Sequence, residues 1–140
     1  MGIEPFMLAS SLRMVAAQRL VRVLCASCRK PYKPTPEEFD KAVKGAMTDK
    51  PPDYSQAVFY KAVGCPKCAK TGYLGRKAIY EVYFIDSAMQ EAIYKHSGDI
   101  HLMKAVAAKS GMWNLRASGW RKVLQGVTTP EEVLAVTVLE

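Results

Sequence analysis

No run in these 140 residues approaches eighteen consecutive apolar side chains, so no segment is expected to cross a bilayer as a helix. The opening residues lack the basic, apolar and small-residue zones of a secretory signal, which points to a reducing, cytosolic compartment. The phosphate-binding pattern G-x-x-x-x-G-K-[ST] is missing, since none of the nine glycines begins it. Histidine is scarce: only His96 and His101, both in helical surroundings, which read as surface or capping residues and not as ligands. No nucleophile–base pair and no open metal site emerges, so an autonomous enzyme is not expected.

What the sequence does hold is four cysteines in two pairs, Cys25-Ala26-Ser27-Cys28 and Cys65-Pro66-Lys67-Cys68. Two Cys-x-x-Cys pairs can place four thiolates at the corners of a tetrahedron, the arrangement Zn²⁺ takes in closed structural sites. The 36 residues between the pairs exceed the usual zinc-ribbon spacing and call for an inserted element. In a reducing compartment such cysteines read as metal ligands before disulfides. A redox role would want a thioredoxin-like strand-to-helix setting with one accessible thiol, and neither pair has that context. Four thiolates leave no coordination position for water, so the expected role is to fix the fold rather than to hydrolyse anything.

The formal charge of +7 invites a nucleic-acid reading. One zinc on four thiolates lowers it by two and leaves the site itself dianionic. Lys30, Lys33, Lys67, Lys70, Arg76 and Lys77 lie near the cysteines in sequence and can offset that charge. The offsetting role is favoured over a nucleic-acid patch. Tyr73, Tyr80, Tyr83 and Phe84 can stack bases in principle but read as packing residues. Arg19 and Arg22 can reach a nucleotide or a neighbouring subunit; the simpler reading is a solvated or ion-paired arginine.

Along the chain, Pro5 sits near a helix start with Leu8, Leu12, Val15 and Ala16 at helical spacing, and the pattern then alternates towards Cys25. A short helix followed by a strand fits best. The chain opens at once on apolar residues and reads as a piece of something larger. Pro31-Tyr32-Lys33-Pro34 is extended, and Thr35-Pro36-Glu37-Glu38 is a capping box opening a helix that Gly45 would stop. Residues 46–56 read as a loop. Strands are expected over Val58–Val63 and Lys77–Ile85, with the Cys65–Cys68 knuckle between them as a hairpin, and with Gly72 and Gly75 in turns that a Cβ would obstruct. The remainder reads as short helices: one opened by a Ser87/Gln90 capping box with Ile85, Met89 and Ile93 on one face, then helices capped by Asp99, by Asn114 and by a Thr129/Glu132 capping box. Such short pieces need mutual packing, which suggests a compact bundle.

The ordered motifs resemble the C-terminal portion of the type II secretion and type IV pilus assembly (extension) ATPases. They are Met1-Gly2-Ile3-Glu4-Pro5-Phe6, Ala9-Ser10-Ser11-Leu12, Ala17-Gln18-Arg19-Leu20-Val21-Arg22, both cysteine pairs, Gly64-Cys65-x-x-Cys68-x-x-Thr71-Gly72-Tyr73-x-Gly75-Arg76, Ile79-Tyr80-Glu81-Val82, Gly111-Met112, Leu115, and Gly126-x-Thr128-Thr129-x-Glu131-Glu132-Val133-Leu134. Ala78, Ser118 and Ala135 depart from the family's usual glycine, acidic residue and arginine. The resemblance implies an α+β fold: residues 1–23 as the terminal helix and strand of a RecA-like ATPase core, 24–85 as a small β-hairpin zinc-knuckle domain, and 86–140 as a C-terminal helical domain. It implies one structural zinc held by Cys25, Cys28, Cys65 and Cys68, with ATP and Mg²⁺ bound only by the parent protein and no catalytic or cofactor-binding residue in this chain. It further implies neighbouring subunits of a cytoplasmic homohexamer and an inner-membrane platform protein as partners, peripheral association with the bacterial inner membrane, and no nucleic acid. Retraction ATPases lack the four-cysteine insertion, so the resemblance favours extension or secretion. The alternative from another class is a zinc-ribbon nucleic-acid-binding protein.

Overall fold

The computed structural model describes residues 2–96 and 98–137. Met1 of the opening motif and residues 138–140 of the expected helical segment lie outside the described residues. The architecture is α+β, with six α-helices and two small two-stranded sheets among the described residues. In chain order these are α1 (Pro5–Ser11), β1 (Met14–Leu24), β2 (Lys30–Tyr32), α2 (Pro36–Gly45), β3 (Phe59–Lys61), β4 (Tyr73–Phe84), α3 (Ser87–Lys95), α4 (Ile100–Lys109), α5 (Leu115–Leu124) and α6 (Pro130–Val136). No helix among the described residues is long and apolar enough to cross a membrane.

The helix-then-strand expectation for the first 24 residues holds, and of the extended stretch Pro31-Tyr32-Lys33-Pro34 the first two residues lie in β2. The hairpin does not. β3 pairs antiparallel with β2, in the register Lys30↔Lys61, Pro31↔Tyr60, Tyr32↔Phe59, while β4 pairs with β1. The Ile85 N–H donates to the Arg13 carbonyl at one end of the β1–β4 ribbon and the Cys25 N–H to the Gly72 carbonyl at the other, which runs that ribbon antiparallel. Alternation identifies a strand but is blind to its neighbour, and here both neighbours lie across a cysteine loop. β4 also begins four residues earlier than expected, continuing through Gly75.

The chain forms two compact units. The first holds the described residues through Ala17 together with Glu81–Asn114; the second holds Gln18–Tyr80 and the described residues from Leu115 onward. The expected single bundle of sequential helices is therefore divided. In the first unit α3 packs on α1 and α4, around Ala9, Ile85, Met89, Ile93 and Ala107. The expected one-turn face of Ile85, Met89 and Ile93 is indeed buried. The cap of α3 is Asp86, whose carboxylate accepts the Met89 N–H at 2.9 Å; Ser87, one residue later, is already helical. Asp99 caps α4 as expected, accepting the Leu102 N–H at 3.0 Å.

In the second unit α5 packs on α2 and α6. Thr35 and Glu38 form the expected capping box at α2, with bonds of 3.2 and 2.9 Å. The helix ends at Gly45 as expected, though not through a left-handed glycine cap: an alanine Cβ there would meet Trp120 Cδ1 at 2.3 Å. Glycine lets the indole lie directly on the helix backbone, beside Ala42, Ala46, Phe59, Val123 and Val133. Phe59 is 1% exposed, a burial that contributes about 3 kcal/mol. A smaller cluster of Val21, Ile79 and Leu115 seats the middle of β1 and β4. The loop over residues 46–56 contains a 3₁₀ turn at Tyr54–Gln56, capped by Asp53.

Arginines fasten this unit where helices end. Arg121 donates to the carbonyls of Ala46 and Met47 beyond α2 at 3.0 and 3.1 Å. Arg29 donates to the Gly126 carbonyl after α5 at 2.8 Å while lying over the Tyr60 ring. Arg116 donates to the Thr137 carbonyl at the end of α6 at 2.6 Å. Cations are favoured at the carbonyl end of a helix, where unpaired acceptors and the macrodipole coincide. Part of the basic excess is thus structural.

Candidate metal centre

Both cysteine pairs sit where the backbone turns sharply between strands. Cys25 follows β1 directly, and Cys28 ends the turn, its N–H and that of Arg29 donating to the Cys25 carbonyl. Cys65–Cys68 forms the second turn, a short 3₁₀ segment led by Pro66. Ala69 and Lys70 then take φ values of 52° and 61°, so the chain turns back on itself through two left-handed residues. Close approach makes the flanking glycines specific. At Gly64 (φ 107°) a Cβ would lie 2.6 Å from the Lys70 carbonyl oxygen, and at Gly72 (φ 82°) 2.6 Å from Ala62 Cβ. At Gly75 a Cβ would meet nothing within 4 Å, contrary to the sequence reading; only its φ of 81° favours glycine.

These turns bring together all four expected ligands. The Sγ atoms of Cys25, Cys28, Cys65 and Cys68 lie within 4.8 Å of one another. Cys25–Cys65 and Cys28–Cys68 are each 3.8 Å apart, and Cys65–Cys68 is 3.7 Å. A tetrahedron with metal–sulfur bonds of about 2.3 Å has edges of about 3.8 Å, so these three edges match four-thiolate zinc coordination. Disulfides are absent: all four cysteines are free, at separations far above the roughly 2.05 Å of an S–S bond.

Backbone donors already aim at the sulfurs. Gly64 N–H points to Cys28 Sγ at 3.3 Å, and Cys65 N–H and Gly72 N–H both point to Cys68 Sγ at 3.2 Å. Such donors stabilise thiolate over thiol, as a metal requires. Burial works against ionisation of Cys68, yet these two donors and the thiols of Cys65 and Cys28 outweigh it and hold its thiol down to about 6. At Cys28 burial prevails over the single Gly64 donor, and with the other thiols it pushes the group up to about 11. The residues present fit a soft, four-coordinate metal ion.

The other candidate residues lie outside the cysteine cluster. Arg22 forms an ion pair: its guanidinium grips the Glu132 carboxylate at 2.9 and 3.1 Å, its backbone N–H donates to Glu132 Oε1 at 3.1 Å, and Tyr73 lies under it at 4.2 Å. Glu132 was expected to close the α6 capping box. Only half the box forms, Thr129 Oγ1 accepting the Glu132 N–H at 3.2 Å, because Arg22 takes the carboxylate. Lys33 is engaged with Tyr54, donating to its carbonyl and lying over its ring. His96 and His101 are exposed, and Tyr80 and Phe84 are half-exposed on β4. Spacing alone could reveal neither the Gly64 and Gly72 donors nor the Arg22–Glu132 pair, whose partners are 110 residues apart. An apolar cleft of about 390 Å³ in the first unit, walled by Leu8, Leu12, Ile85, Met89 and Met103, contains none of the cysteines.

The Arg22–Glu132 pair gives a pH prediction. Burial raises the Glu132 pKa, but the Arg22 guanidinium and backbone N–H overcome it and hold the carboxyl below its ordinary 4.5. A depressed folded-state pKa contributes stability above the ordinary value and loses it as pH falls through the folded value. Glu132→Gln is expected to unfold at lower urea than the native chain at pH 7, by about 2 kcal/mol. That gap should begin to narrow below pH 4.5, where the unfolded carboxyl takes up a proton, and should close once pH has fallen through the lower folded-state value. A gap independent of pH would contradict this assignment.

Residues 1–135 match the family described as Type II/IV secretion system protein. The chain is 41% identical over 140 residues to Type II secretion system ATPase E of Vibrio cholerae, covering 98% of this chain and 25% of that protein. It is 43% identical over 137 residues to Type II secretion system protein E of Pseudomonas aeruginosa, covering 98% and 26%. It is 39% identical over 138 residues to Type IV pilus assembly ATPase PilB of Thermus thermophilus, covering 99% and 15%. The chain thus spans about a quarter or less of the length of these relatives.

Proposed function

The chain belongs to the type II/IV secretion system protein family, and on that premise we propose that it is the zinc-holding, non-catalytic portion of an ATPase that powers type II secretion or type IV pilus extension. The observation that carries the proposal is the meeting of four sulfurs within 4.8 Å from two turns distant in sequence. Zinc at Cys25, Cys28, Cys65 and Cys68 stiffens the turns that follow β1 and precede β4. One zinc supplies roughly 10–16 kcal/mol of apparent binding energy in small peptides, a large contribution where sheets have only two strands. No open coordination position remains, so the metal fixes structure and activates no water.

ATP and Mg²⁺ bind elsewhere in the longer protein, since these 140 residues contain no phosphate-binding loop. In this reading residues 1–23 complete the RecA-like core, 24–85 form the metal-binding segment, and 86–140 form the helical segment. Together they convey the motor's motion to adjoining subunits of a cytoplasmic hexamer and to a platform protein at the inner membrane. Nucleic acid is not a partner; affinity for DNA falling steeply with log salt would favour the zinc-ribbon alternative.

The test is metal content and its consequence. Elemental analysis of protein purified without added metal should give one zinc per chain, and a strong chelator should abolish the protected amides of residues 65–73. Metal-free protein with unchanged amide protection would defeat the proposal.

A further inference from the structure

The second unit carries a set of polar contacts that begins at the cysteine turn and ends at the start of α6. The Gly72 peptide is bonded on both sides to ligand residues: its N–H points to Cys68 Sγ at 3.2 Å and its carbonyl accepts the Cys25 N–H at 2.9 Å. Tyr73 follows directly. Its ring lies 4.2 Å from the Arg22 guanidinium, and its hydroxyl meets Thr129 Oγ1 at 2.9 Å. Thr129 Oγ1 is also the cap that receives the Glu132 N–H, and the Glu132 carboxylate is the one Arg22 grips. The Thr128 hydroxyl donates to the Arg22 carbonyl at 2.8 Å, and the Leu24 N–H, one residue before Cys25, donates to the Val127 carbonyl at 2.9 Å.

Most of these groups are shielded from solvent, although the Arg22 side chain is 49% exposed. Thr128 and Thr129 are 1% and 3% exposed and Glu132 is 7% exposed, yet no buried side-chain polar atom among the described residues lacks a partner. Where such a network is buried, as at Thr128, Thr129 and Glu132, it has one good arrangement, and loosening a neighbour leaves a buried group unpaired. With four thiolates tied by a metal, the Gly72 N–H faces a fixed anionic acceptor and the Tyr73 position is set. Without the metal nothing ties the four sulfurs to one another, and the Gly72 turn loses its fixed acceptor.

We infer that Tyr73, Arg22, Thr129 and Glu132 act as the outer shell of the metal centre and transmit its occupancy to α6, so that zinc binding and the seating of α6 are thermodynamically linked. This rests on reading the four cysteines as one zinc site. Linkage is reciprocal: if bound zinc holds α6 in place, weakening the seat of α6 weakens zinc binding by the same factor. Groups bonded directly to metal ligands are typically worth tenfold to a hundredfold in affinity, and these four residues act one contact further out, at the lower end of that range.

The experiment is a zinc competition titration, against a coloured chelator, on the 140-residue chain and three variants. Tyr73→Phe keeps the ring under Arg22 and removes only the hydroxyl, and Glu132→Gln breaks the ion pair. Arg121→Ala is the control, because Arg121 fastens the end of α2 through the Ala46 and Met47 carbonyls. Tyr73→Phe and Glu132→Gln should bind zinc about tenfold more weakly, with the control within about twofold of the native chain. Amide exchange supplies a second readout: on chelation residues 131–136 should exchange faster while α2 changes little. Should Glu132→Gln fail to fold, Tyr73→Phe decides the matter alone. Native zinc affinity in Tyr73→Phe would overturn the linkage and leave the zinc site standing. A native chain that binds no zinc would overturn the site itself and the linkage with it.

Discussion

Replacing Cys68 with serine is expected to weaken zinc binding by a hundredfold or more and to leave the 65–73 turn unprotected against amide exchange. Shared evenly over four ligands, the roughly 10–16 kcal/mol of a structural zinc site gives about 3 kcal/mol per thiolate. Cys68 carries more than an average share. It is 4% exposed, it is the acceptor of both the Cys65 and Gly72 N–H groups, and it stands 3.7 Å from Cys65 and 3.8 Å from Cys28. A serine oxygen is harder and sits closer to the backbone, so it is a poor replacement both as ligand and as acceptor. The check is a zinc titration of the variant together with amide exchange over that turn. Unaltered zinc affinity would mean that Cys68 is not a ligand.

Replacing Gly72 with alanine is the second large effect, and Gly75→Ala is its natural comparison. Both glycines have φ near 80°, so each substitution incurs the cost of placing an L-residue in left-handed backbone, about 1–2 kcal/mol. At Gly75 nothing further is met. At Gly72 the new Cβ would stand 2.6 Å from Ala62 Cβ and 3.1 Å from the Val63 nitrogen, neither at the end of a flexible side chain. Relieving that overlap moves backbone and adds about 1–3 kcal/mol. It also shifts the Gly72 N–H away from Cys68 Sγ. Gly72→Ala should therefore lose about 3 kcal/mol or more in urea unfolding, with reduced zinc affinity, whereas Gly75→Ala should lose about 1 kcal/mol with zinc affinity intact. Equal losses in the two variants would mean that the contact with Ala62 is not what requires glycine.

The candidate site was legible because its chemistry is written in residue types and spacing. Two Cys-x-x-Cys pairs constrain what they can be however far apart they lie, and the four sulfurs do converge. Local signals were equally legible: the Thr35–Glu38 box and the Asp99 cap involve atoms within three residues of each other. What failed was everything fixed by distant partners. Val58–Val63 and Lys77–Ile85 are adjacent strand-like runs, and adjacency suggested a hairpin. Their hydrogen bonds go instead to β2 and β1, because the cysteine turns hand the chain from one ribbon to the other. The α6 box is half-formed for the same reason, since an arginine on β1 offers the Glu132 carboxylate a bidentate partner that a lone backbone N–H cannot match. The helices of residues 87–136 look alike in pattern, yet α3 packs on α1 and carries α4, while α5 packs on α2 and carries α6. Periodicity shows that a face is apolar and leaves open which neighbour covers it.

Gly45 and Asp86 mark finer limits. A glycine late in a helical pattern reads as a stop, and α2 does end there, but the residue is also the place where Trp120 rests on the backbone. Asp86 and Ser87 are both good caps, and the hydrogen bond to Met89 chooses the first by one position.

X-ray absorption at the zinc edge, on protein isolated without added metal, tests the central claim most directly. Four sulfur neighbours at about 2.3 Å, with no nitrogen or oxygen in the inner shell, are the predicted result. A mixed sulfur–oxygen shell, or cysteines joined as disulfides with no zinc present, would contradict it.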